Sequence, residues 1–105
     1  MDEEPLTVVV GTFDAGPGQI REVGGLLARY AVMSRGEGGC RNIDLVASLT
    51  TPGRFVVYEK WASLAAQAEH LSSPAFRELA ETIAPLLRAP ADFGLFEGIS
   101  AHDLR

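Results

Sequence analysis

With 105 residues the chain has room for one domain and a modest core. Its net charge is −5 and its nine Lys and Arg are scattered. No basic stripe therefore exists for a nucleic-acid backbone, and no apolar run nears the roughly 20 residues that span a bilayer. The start MDEEP lacks the basic and apolar regions of a signal peptide, and the single Cys40 permits neither an internal disulfide nor a cysteine-based metal site; the expectation is a reduced, cytoplasmic protein without nucleic-acid or membrane partners.

Residues 1–4 read as an acidic tail. Leu6 to Phe13, LTVVVGTF, is β-branched and apolar and predicts a buried strand. Ala15-Gly16-Pro17-Gly18 is a turn. From Gln19 to about Ser34, Ile20, Val23, Leu27 and Tyr30 recur at helical spacing. Gly24-Gly25 inside that helix costs stability and suggests close approach of a neighbouring element.

Arg35 to Gly39 ends the helix, and Cys40 to Thr50 alternates with period two. Thr51-Pro52-Gly53 is a tight turn into a second strand, Arg54 to Trp61, that should form a hairpin with the first. In it Phe55, Val57, Glu59 and Trp61 share one face, and Val56, Tyr58 and Lys60 the other. Ser63 caps a short helix from Leu64 to about Leu71. Ser73-Pro74 opens another, with an apolar stripe through Phe76, Leu79, Ala80, Ile83 and Leu87 and with Pro85 and Pro90 at its end. Phe93 to Ile99 is a last strand, and 100–105 is a polar tail containing His102.

The order β-α-β-β-α-α-β predicts an α+β, ferredoxin-like domain with a four-stranded antiparallel sheet and helices on one face. One domain is expected over 1–105, with its core at about 6–99. The other sheet face carries Val46, Val56 and Tyr58, which predicts a homodimer through sheet faces.

Gly16-Pro17-Gly18, Glu37-Gly38-Gly39-Cys40, the run RFVVYEKW at 54–61, the run EHLSSPAF at 69–76 and Ala84-Pro85-Leu86-Leu87 together resemble the antibiotic biosynthesis monooxygenase domain family over about residues 6–99. The resemblance implies a ferredoxin-like domain pairing sheet to sheet into a dimeric α+β barrel. It also implies oxidation of a small aromatic quinol or polyketide-type phenol by O2 without a cofactor. Members often have Glu-Pro-Gly-Cys where this chain has Glu37-Gly38-Gly39-Cys40, which alters loop stiffness rather than chemistry. Several active members place an asparagine on the first strand, whereas the only one here is Asn42. The haem-degrading branch carries a histidine on the last helix; Pro74 to Leu87 has none, which disfavours that activity.

Two residues are candidates for chemistry. His70 suits acceptance of a phenolic proton, or else is a packed helix-end histidine bonded to backbone. Glu59, if its face meets the helices, must find a partner: it assists His70, or it is a structural carboxylate bonded to backbone or to an arginine at a dimer seam. Trp61, Phe55 and Phe76 are candidate walls of an aromatic-binding pocket, with plain core packing the alternative. Cys40 reads as a small buried hydrophobe, and neither histidine spacing nor glycine pattern suggests a metal or nucleotide site. The competing function is a non-catalytic dimeric domain that binds a hydrophobic ligand or supports a pathway partner.

Overall fold

The computed structural model describes residues 5–101; the expectations for residues 1–4 and for His102 fall outside them. The chain runs β1 (Thr7–Asp14), α1 (Ile20–Ser34), β2 (Cys40–Ala47), β3 (Arg54–Trp61), α2 (Leu64–His70), α3 (Pro74–Thr82), a 3-10 turn (Ala84–Leu86) and β4 (Asp92–Glu97). The strands form one antiparallel sheet in the order β2-β3-β1-β4, the α+β ferredoxin-like plan expected from the sequence.

Two ends differ from expectation for a local reason. β2 stops at Ala47 because the Ser48 hydroxyl accepts from the Thr50 and Thr51 amides and starts the turn early. The last helix stops at Thr82, because Pro85 has no amide to continue the ladder and forces a 3-10 turn. The chain then returns to the end of β1, where Gly16 N donates to Leu86 O and Arg88 N to Asp14 O. β4 spans Asp92–Glu97 rather than Phe93 to Ile99.

Strand register divides the sheet into two faces. Toward the helices lie the rows Ala47–Phe55–Phe13, Leu45–Val57–Gly11–Phe93, Ile43–Glu59–Val9–Leu95 and Cys40–Trp61–Thr7–Glu97. Val23, Leu27, Tyr30 and Ala31 of α1 and Ala75 and Leu79 of α3, with Ile83 beyond, close over them to form the core. Gly24 explains one glycine of the α1 pair: a Cβ there would stand 3.2 Å from the Phe55 ring, whereas Gly25 meets nothing. The other sheet face bears Val10, Val46, Val56, Tyr58 and Phe96, with Val46 and Phe96 more than half exposed.

Candidate functional site

Glu59 stands in mid-sheet on the helix side and is 1 % exposed. A carboxylate there must be bonded. Its Oε1 accepts from Trp61 Nε1, two residues on along the same face, at 2.8 Å. Its Oε2 accepts a hydrogen bond from the Tyr30 hydroxyl of α1. The partners expected for Glu59, backbone or an arginine, are thus replaced by a phenol and an indole.

The Tyr30 oxygen also lies 2.7 Å from Nε2 of His70, the last residue of α2. His70 Nδ1 sits 2.9 Å and 3.1 Å from the two oxygens of Glu37, in the loop between α1 and β2. The chain Glu37–His70–Tyr30–Glu59–Trp61 therefore runs unbroken through the core, and only its Glu37 end, with a quarter of its side chain exposed, reaches solvent.

Local sequence places each member. Arg35 donates to the Ile43 carbonyl from Nε and Nη2, pinning the loop that carries Glu37. Ala62 N donates to Gly39 O, and Gly39 lies so close to Ala66 that a Cβ would stand 2.4 Å away. Ser63 caps α2 through Ala66 N, and Ser73 caps α3 through Phe76 N with Pro74 at the first turn. His70 and Phe76 are thus separated by one tight connection and their rings meet edge to face, with centroids 5.5 Å apart. The Trp61 indole backs the other side of His70, centroids 4.4 Å apart.

A phenol has one proton. When Tyr30 donates it to Glu59, it accepts from His70 Nε2–H, and because Nδ1 faces a carboxylate the ring then carries both protons. Moving the Nε2 proton to the phenol oxygen and the phenol proton to Glu59 yields a neutral imidazole and a protonated Glu59. Net charge and the number of hydrogen bonds are unchanged. The geometry at Tyr30 permits a relay between His70 and Glu59. Burial, then the Glu59 charge, pushes the Tyr30 phenol far above the usual range, which keeps it a phenol. Burial likewise pushes the Cys40 thiol up to about 11, which keeps it a thiol.

A cavity of about 210 Å³ abuts this chain. Tyr30, Glu59, Gln67 and His70 form its polar end; Val9, Phe76 and Phe93 wall it; Leu71 and Leu95, about half exposed, stand at its rim. Gly11 makes the Phe93 wall possible, since a Cβ there would lie 2.8 Å from that ring. Among the described residues no group of three His, Cys, Asp or Glu is arranged to hold a metal.

Of the residues singled out from sequence, His70, Glu59 and Phe76 share this cavity. Trp61 does not line it: fully buried, it stands behind Glu59 and His70. Phe55 does not line it either, because it lies at the far end of β3 against Gly24. Tyr30, Glu37, Gln67 and Phe93 were missed. The one legible signal was Tyr30, a phenol on an otherwise apolar helical stripe, which needs a buried partner.

The sequence profile of a known family, antibiotic biosynthesis monooxygenase, matches residues 7–82. The chain belongs to this family. Solved structures similar to this antibiotic biosynthesis monooxygenase family member include Rv0793 from Mycobacterium tuberculosis, with TM-score 0.87, 26% identity and coverage of 93% of this chain and 99% of that one. A crystal structure named as an antibiotic biosynthesis monooxygenase superposes with TM-score 0.82 at 26% identity, covering 89% and 98% of the two chains. PA3566 from Pseudomonas aeruginosa, 21% identical with TM-score 0.87 over 95% and 100% of the chains, shares the fold. Curated proteins gave no match. No helix among the described residues is long and apolar enough to cross a membrane.

Proposed function

We propose that the protein is a cofactor-independent monooxygenase that oxidises a small aromatic phenol or quinol with O2. The observation that carries this reading is the hydrogen-bonded chain Glu59–Tyr30–His70–Glu37, whose Glu59, Tyr30 and His70 line a largely apolar cavity. The substrate ring packs against Phe76 and Phe93 with its hydroxyl toward Tyr30. In the arrangement with Glu59 protonated and Nε2 free, the substrate proton enters at the Tyr30 oxygen as Tyr30 passes its own proton to Nε2, while Nδ1 keeps its proton and its bond to Glu37. The electron-rich anion then gives electrons to O2 directly. For an anthrone, one oxygen atom becomes the new carbonyl and the other leaves as water with the two hydrogens of the oxidised carbon, a four-electron balance. The dry walls orient the ring and exclude water.

Aerobic and anaerobic incubation with an anthrone tests this, with His70→Gln as control. Oxygen-dependent product from the wild type and its loss in the variant are expected; equal turnover by the two proteins would remove His70 from the reaction.

One observation favours the second reading, a non-catalytic ligand-binding domain: every polar atom of His70 and Glu59 already has a partner inside the protein. A ligand-induced rise in Tm without O2 uptake from any phenol or quinol would decide for it.

We further infer a homodimer through the sheet face bearing Val10, Val46, Val56, Tyr58 and Phe96, on the ground that so apolar a face is unstable in water. A reducing, cytoplasmic setting suits the lone thiol Cys40.

A further inference from the structure

We propose that Gln67 is the residue that selects the ligand, and that the site takes an aromatic molecule with oxygen at one end only and a carbon substituent at the other. The inference rests on the reading of the cavity beside Tyr30 and His70 as the substrate site. Gln67 is 7 % exposed and borders that cavity. It lies one turn before His70 on α2, so both side chains aim the same way. Tyr30, Glu59 and His70 are all bonded within the protein, yet the Gln67 amide makes no side-chain hydrogen bond to any described residue. An amide has two donors and an acceptor, and at the cavity wall these are free to bond a ligand oxygen. Alanines flank it at 66 and 68, so nothing in α2 competes for those bonds.

The opposite end of the space is of different chemistry. Beyond Phe76 and Phe93 lies a second compartment of about 220 Å³, walled by Phe13, Leu79, Ile83 and Leu87. Phe76 and Phe93 border both compartments, their ring centroids 6.4 Å apart. Each compartment falls below the roughly 300 Å³ at which small-molecule pockets begin, and the two together exceed it. A ligand that fills both parts the tilted Phe76–Phe93 ring pair, with its oxygen at Gln67 and Tyr30 and a carbon group against Leu79 and Ile83. A symmetric diol would place its second oxygen among these carbon side chains, without a side-chain partner.

Anaerobic titration calorimetry with 2-naphthol, 6-propyl-2-naphthol, 2,6-dihydroxynaphthalene and 2-propylnaphthalene, on the wild type and Gln67→Leu, tests the proposal. The wild type should bind 6-propyl-2-naphthol tightest and the diol about 5- to 150-fold more weakly than 2-naphthol, the penalty for one unpaired buried group. Gln67→Leu should lose about tenfold or more for both mono-ols and nothing for 2-propylnaphthalene. Equal affinity of wild type and variant for the mono-ols, a diol that binds as tightly as 2-naphthol, or no binding of any naphthol overturns it. Should the variant fail to fold, the ligand series on the wild type still decides. Binding in this order without O2 uptake would end the monooxygenase reading and leave this one standing; turnover with an indifferent Gln67→Leu would do the reverse.

Discussion

Replacing Tyr30 with phenylalanine deletes one oxygen from the centre of the molecule and changes little else in shape. That oxygen is bonded on one side to Glu59 and on the other to His70 Nε2, and Tyr30 itself is 3 % exposed. Its loss strands a carboxylate oxygen and an imidazole nitrogen away from water. Each orphaned group costs about 1–3 kcal/mol, more when charged. The sum falls at about 3–5 kcal/mol, the range for breaking a buried charged pair, in a domain whose whole stability is about 5–15 kcal/mol. At about 4–8 °C per kcal/mol for a domain near this size, Tm should fall by at least about 12 °C in a calorimetric scan. The double variant Tyr30→Phe with Glu59→Leu should cost less than the sum of the two single changes, because it removes both partners of one bond. A pH series adds a signed test. Folded Tyr30 keeps its proton where an unfolded tyrosine, near 10, has lost it. The native state then binds more protons than the unfolded one, and stability falls as pH rises above about 10, by up to about 1.4 kcal/mol per pH unit. Tyr30→Phe should lack that share of the slope. A Tm within about 3 °C of wild type, with an unchanged alkaline slope, would refute the relay as a structural element.

Gly11→Ala should push the Phe93 ring into the cavity and weaken binding of 2-naphthol while leaving the far-ultraviolet circular dichroism spectrum unchanged; unaltered affinity would mean that Phe93 is not a wall. Cys40 is raised by burial in the folded state, so its contribution is complete below about pH 9 and lost as pH rises toward about 11; Cys40→Ala should flatten urea-measured stability across that window, and an identical profile in the two proteins would count against it. Val56→Asp should yield a monomer by light scattering at micromolar concentration if the open sheet face is a homodimer seam, and a wild type already monomeric there would dismiss the seam.

Much of the fold was legible because it depends on local pattern. Alternation in Cys40–Ala47 and Arg54–Trp61, the turn Thr51-Pro52-Gly53 and the serine caps at 63 and 73 each act over a few residues, and the structure keeps all of them. The site was legible only in part, because it is assembled across long separations. Glu59 could be seen to face inward, but nothing near it in sequence names Tyr30, 29 positions earlier, as its partner. Glu37 resembled loop punctuation until the loop folded back 33 positions onto His70. Phe55 and Trp61 share Glu59's face, yet a face is not a cavity: one end of β3 meets α1, and the indole is spent on Glu59 and His70. Gln67 carries no local signal at all, since a glutamine among alanines usually faces water.

The central claim is that the chain Glu59–Tyr30–His70–Glu37 carries the substrate proton while O2 oxidises the ring. Incubation of an anthrone under ¹⁸O2, with wild type and His70→Gln compared at equal folded fraction, addresses it most directly. The account predicts one labelled oxygen atom in the wild-type product and a rate at least about a hundredfold lower in the variant, the scale of general acid–base catalysis. Product without the label, or equal rates in the two proteins, would contradict it.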